Sequence, residues 1–149
     1  MSVALTGNDT IVIQGRVLTD FTDGDVAELK FSNNLVELVN GKNDNAIFAL
    51  NAKGKMGELT LKMLRGGVDD LFLNANLNLL QLDFPSYVLL NGSFTKRIGN
   101  GFGLSMVDLY LATGGVITKL VDVVSSSDGK IEQAISIYTI KFAKVIRVV

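Results

Sequence analysis

The sequence predicts a mainly β domain with one α-helix, and three observations predict it. Glu58-Leu59-Thr60-Leu61-Lys62-Met63 alternates polar and apolar residues, the period of a strand with one buried face. The period then changes. Gly66-Gly67 breaks the strand, Asp69 and Asp70 fall in a first helical turn where the positive helix end favours carboxylates, and Pro85 forbids extension beyond Phe84. Elsewhere, β-branched runs recur between turns rich in Gly, Asn and Asp, giving about eight strands around that single helix.

In chain order, Thr10–Leu18 (TIVIQGRVL) reads as the first strand, and Thr19–Asp25 has the Asp and Gly density of a turn. Asp20, Asp23 and Asp25 invite a calcium site, but their spacing is not that of an EF-hand loop and no glutamate closes it. Val26–Phe31 alternates, with Glu28 and Lys30 on one face and Ala27, Leu29 and Phe31 on the other. Ser32–Asn45 is a long connection carrying the apolar piece Leu35–Val39. Lys53-Gly54-Lys55 is a hairpin turn between Ile47–Ala52 and Gly57–Leu64.

Beyond the helix, Tyr87–Ile98 is a strand with a bulge expected at Gly92, and Gly99–Gly103 (GNGFG) is a glycine turn. Leu104–Thr113 and Val116–Val124 follow as strands separated by Gly114-Gly115, and Ser125–Lys130 is a polar turn. In the last segment, Ile131–Val149, the polar residues change face between Ser136 and Lys141, which predicts a bulge or bend near Thr139.

The helix carries two apolar stripes. Val68, Leu71, Phe72, Ala75, Leu79 and Leu82 form one, assigned to the chain's own sheet. Leu73, Leu77 and Leu80 form a second, roughly opposite. A helix that only capped a monomeric sheet would not need it, so these three leucines are the candidates for contact with a neighbouring subunit. A charge at Leu77 is then expected to weaken assembly and spare the fold. The alternatives are a helix buried inside a larger core, or one that frays after Asn76.

Length bounds the rest. At 149 residues the chain fits a single domain, 1–149, able to bury a core without disulfides or metal. With Gly counted and Tyr left out, about 56% of residues are apolar, against a usual 45–50%. No apolar run is long enough to span a bilayer and no secretory signal opens the sequence, so the surplus points to lateral self-assembly.

Histidine and cysteine are both absent, which excludes Ser-His-Asp and Cys-His catalysis and the common zinc ligand sets. Asp69 and Asp70, adjacent on a helix, point about 100° apart and do not converge on a substrate. GNGFG lacks the spacing of a dinucleotide or phosphate loop. Lys96-Arg97, Lys141, Lys144 and Arg147 are expected on solvated faces or in ion pairs between subunits, and the net charge of −1 gives no electrostatic reason to hold nucleic acid. No enzyme activity, cofactor or metal is expected.

The order of these pieces resembles the tail tube proteins of long-tailed bacteriophages, most closely the small tube proteins of contractile tails. An Asp/Gly-rich turn enters a strand (TDFTDGDVAELKF). A strand then runs into an acidic helix start (NAKGKMGELTLKMLRGGVDD), and NGSFTKRIGNGFG follows as strand and glycine turn. The resemblance spans Gly15 to Gly103.

It implies an antiparallel β-sandwich or half-open barrel with one flanking helix. Six copies would form a ring with a shared inner β-barrel, and rings would stack around a tape measure protein into a conduit through which DNA passes without specific binding. It further implies a sheath and a baseplate as partners, no membrane, synthesis in the bacterial host cytoplasm and a place in the virion tail. On this resemblance the polar strand residues Glu28, Lys30, Glu58, Thr60 and Lys62 are the candidates for the lumen, and Ser32–Asn45 is long enough to reach a neighbouring ring. Related alternatives are a tube terminator, a baseplate hub, or a bacteriocin or type VI secretion tube. A small-ligand-binding β-barrel, its cavity lined by the apolar surplus, and a carboxylate-based hydrolase are the alternatives of another class.

Overall fold

The computed structural model describes residues 2–5, 9–21, 27–99, 105–123, 127–129 and 131–148. Ten strands and one α-helix lie among them: β1 (Ser2–Leu5), β2 (Thr10–Ile13), β3 (Arg16–Leu18), β4 (Ala27–Lys30), β5 (Val36–Asn40), β6 (Ala46–Leu50), β7 (Gly57–Leu64), α1 (Val68–Leu82), β8 (Leu90–Gly99), β9 (Ser105–Ile117) and β10 (Ile135–Arg147). Eight strands form one curled antiparallel half-barrel in the order β1-β4-β7-β10-β9-β8-β2-β3, and β5 and β6 pair apart as a two-stranded ribbon. The expected mainly β class with one helix is what the chain adopts.

Alternation places the core. Leu59, Leu61 and Met63 of β7, Tyr138, Ile140 and Phe142 of β10, and Ile11 and Ile13 of β2 all point inward and are buried. Phe94 and Phe142 meet edge to face across the curl, with ring centroids 5.9 Å apart. Side chains thus fill the interior of the half-barrel. Leu73 and Leu77 of α1 close it from one side, with Phe72 and Leu80 packed at the margin.

Several expectations change. Thr10–Leu18 is a hairpin, because Gln14 and Gly15 both adopt positive φ (52° and 76°), the conformation of a two-residue turn that matches strand twist. The segment after Ser32 is the β5–β6 ribbon. β6 therefore pairs with β5 and not across Lys53-Gly54-Lys55 with β7, and residues 52–55 form a 3-10 turn that returns the chain to the sheet.

β9 runs unbroken through Gly114-Gly115. At 115 a Cβ would lie 2.4 Å from the Phe142 ring, so glycine there lets that ring close over the strand. The expected bulge lies at this level, between the pairs Leu90–Gly115 and Gly92–Ala112, and the extra residue belongs to β9. No bulge or bend occurs at Thr139. Ser136 is a buried polar residue on the inward face, and the inward alternation of β10 breaks later, between Phe142 and Val145.

The helix is where sequence and structure differ most. Leu73 and Leu77, expected to face a neighbour, are buried in the chain's own core, Leu77 at 4% exposure, and Leu80 packs beside them. Val68, Leu71, Leu79 and Leu82, expected on the sheet, face solvent, Leu82 at 84% exposure. Two stripes about 180° apart fix the axis of amphipathicity but not its sign. Contacts at the helix start supply the sign.

Candidate assembly surfaces

The start of α1 is held from three directions. Gly67 precedes it and has no side chain to cap with. Asp20, at the end of the β2–β3 hairpin, supplies the acceptor from 48 residues away, its Oδ2 taking the N–H of Val68 at 2.9 Å. Asp69, 2% exposed, accepts the backbone N–H groups of Thr19 and Asp20 at 2.6 and 2.9 Å and the Arg16 Nε at 2.9 Å. Burial alone would raise its pKa; those three donors outweigh burial and hold the carboxyl below its ordinary value. Asp70 accepts the Tyr138 hydroxyl at 2.6 Å and the Gly66 N–H at 2.8 Å. Burial, then the bond to Asp70 and its charge, push the Tyr138 hydroxyl far above its ordinary pKa.

Asp69 and Asp70 are therefore anchors that turn Leu73 and Leu77 inward, beyond the helix-dipole role expected for them. Their signal in the sequence is positional: on a 100° wheel they flank Leu73 and Leu77, so burying them buries that side. Among the described residues, no three potential metal ligands converge. Asp23, Asp25 and the glycine turn at 100–103 lie outside the described residues.

Three surfaces follow from this arrangement. The first is the outer face of β4, β7 and β10. Register sets Glu28, Thr60 and Thr139 in one row and Lys30, Glu58 and Lys141 in the next, with Lys62 beside Ile137. All five lumen candidates thus come together on one face turned away from the core. Its charges nearly cancel, with Lys30 3.6 Å from Glu28 and Lys141 3.9 Å from Glu58, both pairs open enough to contribute little stability. Two more of the cations expected on solvated faces or in intersubunit pairs also have partners within the chain: Lys96 lies 3.6 Å from Asp9, and Arg147 2.7 Å from Asp108.

The second surface is the other half of the same outer face, which no expectation covered. Val17 pairs with Val12, Val12 with Ser93, Ser93 with Leu111 and Leu111 with Ile146, so a mostly apolar band, interrupted at Ser93, crosses five strands. Val17, Leu111 and Ile146 are exposed there. The third comprises the exposed ridge of α1, continued by Phe84 and Val88, and the β5–β6 ribbon.

That ribbon, referred to below as the arm, exposes every residue of both strands whose side chain is described, with Phe48 at 71%. At its base a cleft of about 730 Å³ opens between Leu35 and Ile146. The first strand of the arm reads in the sequence as part of a long connection, and the second as a strand assigned to the wrong partner, because apolar residues on both faces of a ribbon give no alternation. No helix among the described residues is long and apolar enough to cross a membrane. No protein-family model and no curated protein matches the chain.

Proposed function

We propose that the chain is a structural, non-enzymatic subunit of a phage tail tube, or of a phage-like tube, assembling as six-membered rings that stack into a hollow conduit. The arm carries the proposal. A two-stranded ribbon is marginally stable in water by itself, and an exposed apolar one has no use in a monomer. It projects from a half-barrel whose end strands among the described residues, β1 and β3, offer edges that neighbouring sheets could join, removing the edges on which such a chain would aggregate.

The polar face of β4, β7 and β10 suits the lumen. Its lysines are offset by Glu28 and Glu58, so a polyanion moving past finds no dense basic lining to hold its phosphates. The arm then serves ring stacking, and the ridge of Leu71, Leu79 and Leu82 takes over the lateral role first given to Leu73, Leu77 and Leu80. Sheath, tape measure and baseplate proteins are the implied partners, and the virion tail the implied location. A filled interior favours this over a small-ligand barrel, whose cavity would need the space that Phe94, Tyr138 and Phe142 take up.

Negative-stain microscopy of the purified protein tests the proposal. Stacked annuli of uniform bore are expected. Single rings that never stack would point to a terminator or hub, and a monomer that stays solitary at high concentration would end the proposal.

A further inference from the structure

Both faces of the arm carry exposed apolar side chains. Residues directly opposite in an antiparallel pair point the same way. Register therefore puts Val36 with Leu50 and Leu38 with Phe48 on one face, and Val39 with Ile47 on the other. Glu37, the one charged residue in its two strands, lies with Ala49 on the Val39–Ile47 face, nearer the base of the arm. Laid on a single surface, such a ribbon would dry one face and leave the other wet.

We infer that the arm is a wedge held between two further copies of the chain, and not a flap lying on one. This rests on the proposed self-assembly and adds the partner of each face. The Leu38–Phe48 face seats on the α1 ridge of one copy, where Leu79 and Leu82 offer a grooved surface for bulky side chains. The Val39–Ile47 face, β-branched and flat, seats on the band of Leu111 and Ile146 of another, in the manner of sheet on sheet.

Two observations select copies of this chain as the occupants. Each copy offers two apolar arm faces and leaves two other apolar surfaces uncovered, so the set closes on itself. Area selects the wedge over the flap. With roughly half or more of each large side chain open, the Leu38–Phe48 face offers on the order of 400 Å² and the Val39–Ile47 face, with two large side chains, about 200 Å². A contact through the Leu38–Phe48 face alone would then bury about 800 Å² in total, the size of a packing contact, and both faces together about 1,200 Å², the lower end of a specific interface.

The natural absence of cysteine makes the test direct. Wild-type assembly is first established by sedimentation. Tagged Phe48→Cys protein is then co-assembled with untagged Leu82→Cys protein, and tagged Ile47→Cys with untagged Ile146→Cys, and both are oxidised. Each mixture is expected to give a disulfide-linked heterodimer on a non-reducing gel, and the crossed mixtures (Phe48→Cys with Ile146→Cys, Ile47→Cys with Leu82→Cys) are expected to give none.

In parallel, Phe48→Ser and Ile47→Ser, checked for unchanged circular dichroism, should each raise the concentration needed for assembly by at least about tenfold, since each removes an apolar contact from a different interface. If one is silent, or only one surface cross-links, the wedge is overturned and self-assembly stands. Crossed mixtures that link as well as the matched ones overturn the assignment of faces, and a wild-type protein that remains monomeric overturns the wedge together with the tube.

Discussion

Replacing Asp69 with Ala should destabilise the protein severely although the residue lies on the buried side of α1, turned away from the proposed contact ridge. The carboxylate is 2% exposed and collects three donors: the N–H groups of Thr19 and Asp20 and the Arg16 guanidinium. Arg16 is about one third open to water and loses little when its partner goes. The two backbone donors lose their carboxylate acceptor, and hydrogen bonds to a charged group contribute about 1.5–3 kcal/mol each, so a loss of about 3–5 kcal/mol is expected. That is a large part of the 5–15 kcal/mol typical of a whole domain. Urea unfolding followed by circular dichroism measures it as a fall in midpoint at unchanged slope. A loss under about 1 kcal/mol would refute the reasoning and leave Leu73 and Leu77 packing alone to hold the helix.

The remaining expectations concern acid, the helix faces, the sheet and the charged stripe. The folded-state pKa of Asp69 lies below its ordinary 3.8, so its contribution is fully present above that value and lost as pH falls through the folded pKa; the stability gap between wild type and Asp69→Ala should narrow from about pH 5 towards pH 2. Leu77→Asp buries a charge and should abolish folding, reversing the sequence-based expectation, while Leu79→Asp should keep the circular dichroism spectrum and weaken assembly in sedimentation. Gly115→Ala should cost about 1–3 kcal/mol in urea unfolding, because the new methyl group meets the Phe142 ring and the Leu90 carbonyl. Glu28→Lys with Glu58→Lys should fold normally yet retard duplex DNA in gels in a salt-dependent manner that the native protein does not show.

How far the sequence could be read depended on whether the deciding contact was local. The alternation of Glu58–Met63 gave β7, and Gly66-Gly67 with Pro85 bounded α1, because each signal lies within a few residues of the element it sets. The sign of the helix did not come through. It depends on Asp69 meeting Arg16, 53 residues away, and Asp70 meeting Tyr138, 68 residues away. Gly114-Gly115 read as a break because its reason, the Phe142 ring, sits on another strand. For the candidate surfaces, the five polar residues Glu28, Lys30, Glu58, Thr60 and Lys62 could be placed on one face by alternation alone. The band through Val17, Leu111 and Ile146 needs the pairing of five strands.

The separateness of the arm has a consequence for how a newly made subunit behaves. Among the described residues its strands pair only with each other, so its opening is a local equilibrium, decoupled from the melting of the eight-stranded body. In a free subunit its amides should exchange with solvent quickly and independently of global stability, and once covered they should slow to the rate of the assembly. A segment that stiffens only on capture lets the chain stay dispersed while it is alone and become adhesive at a growing end.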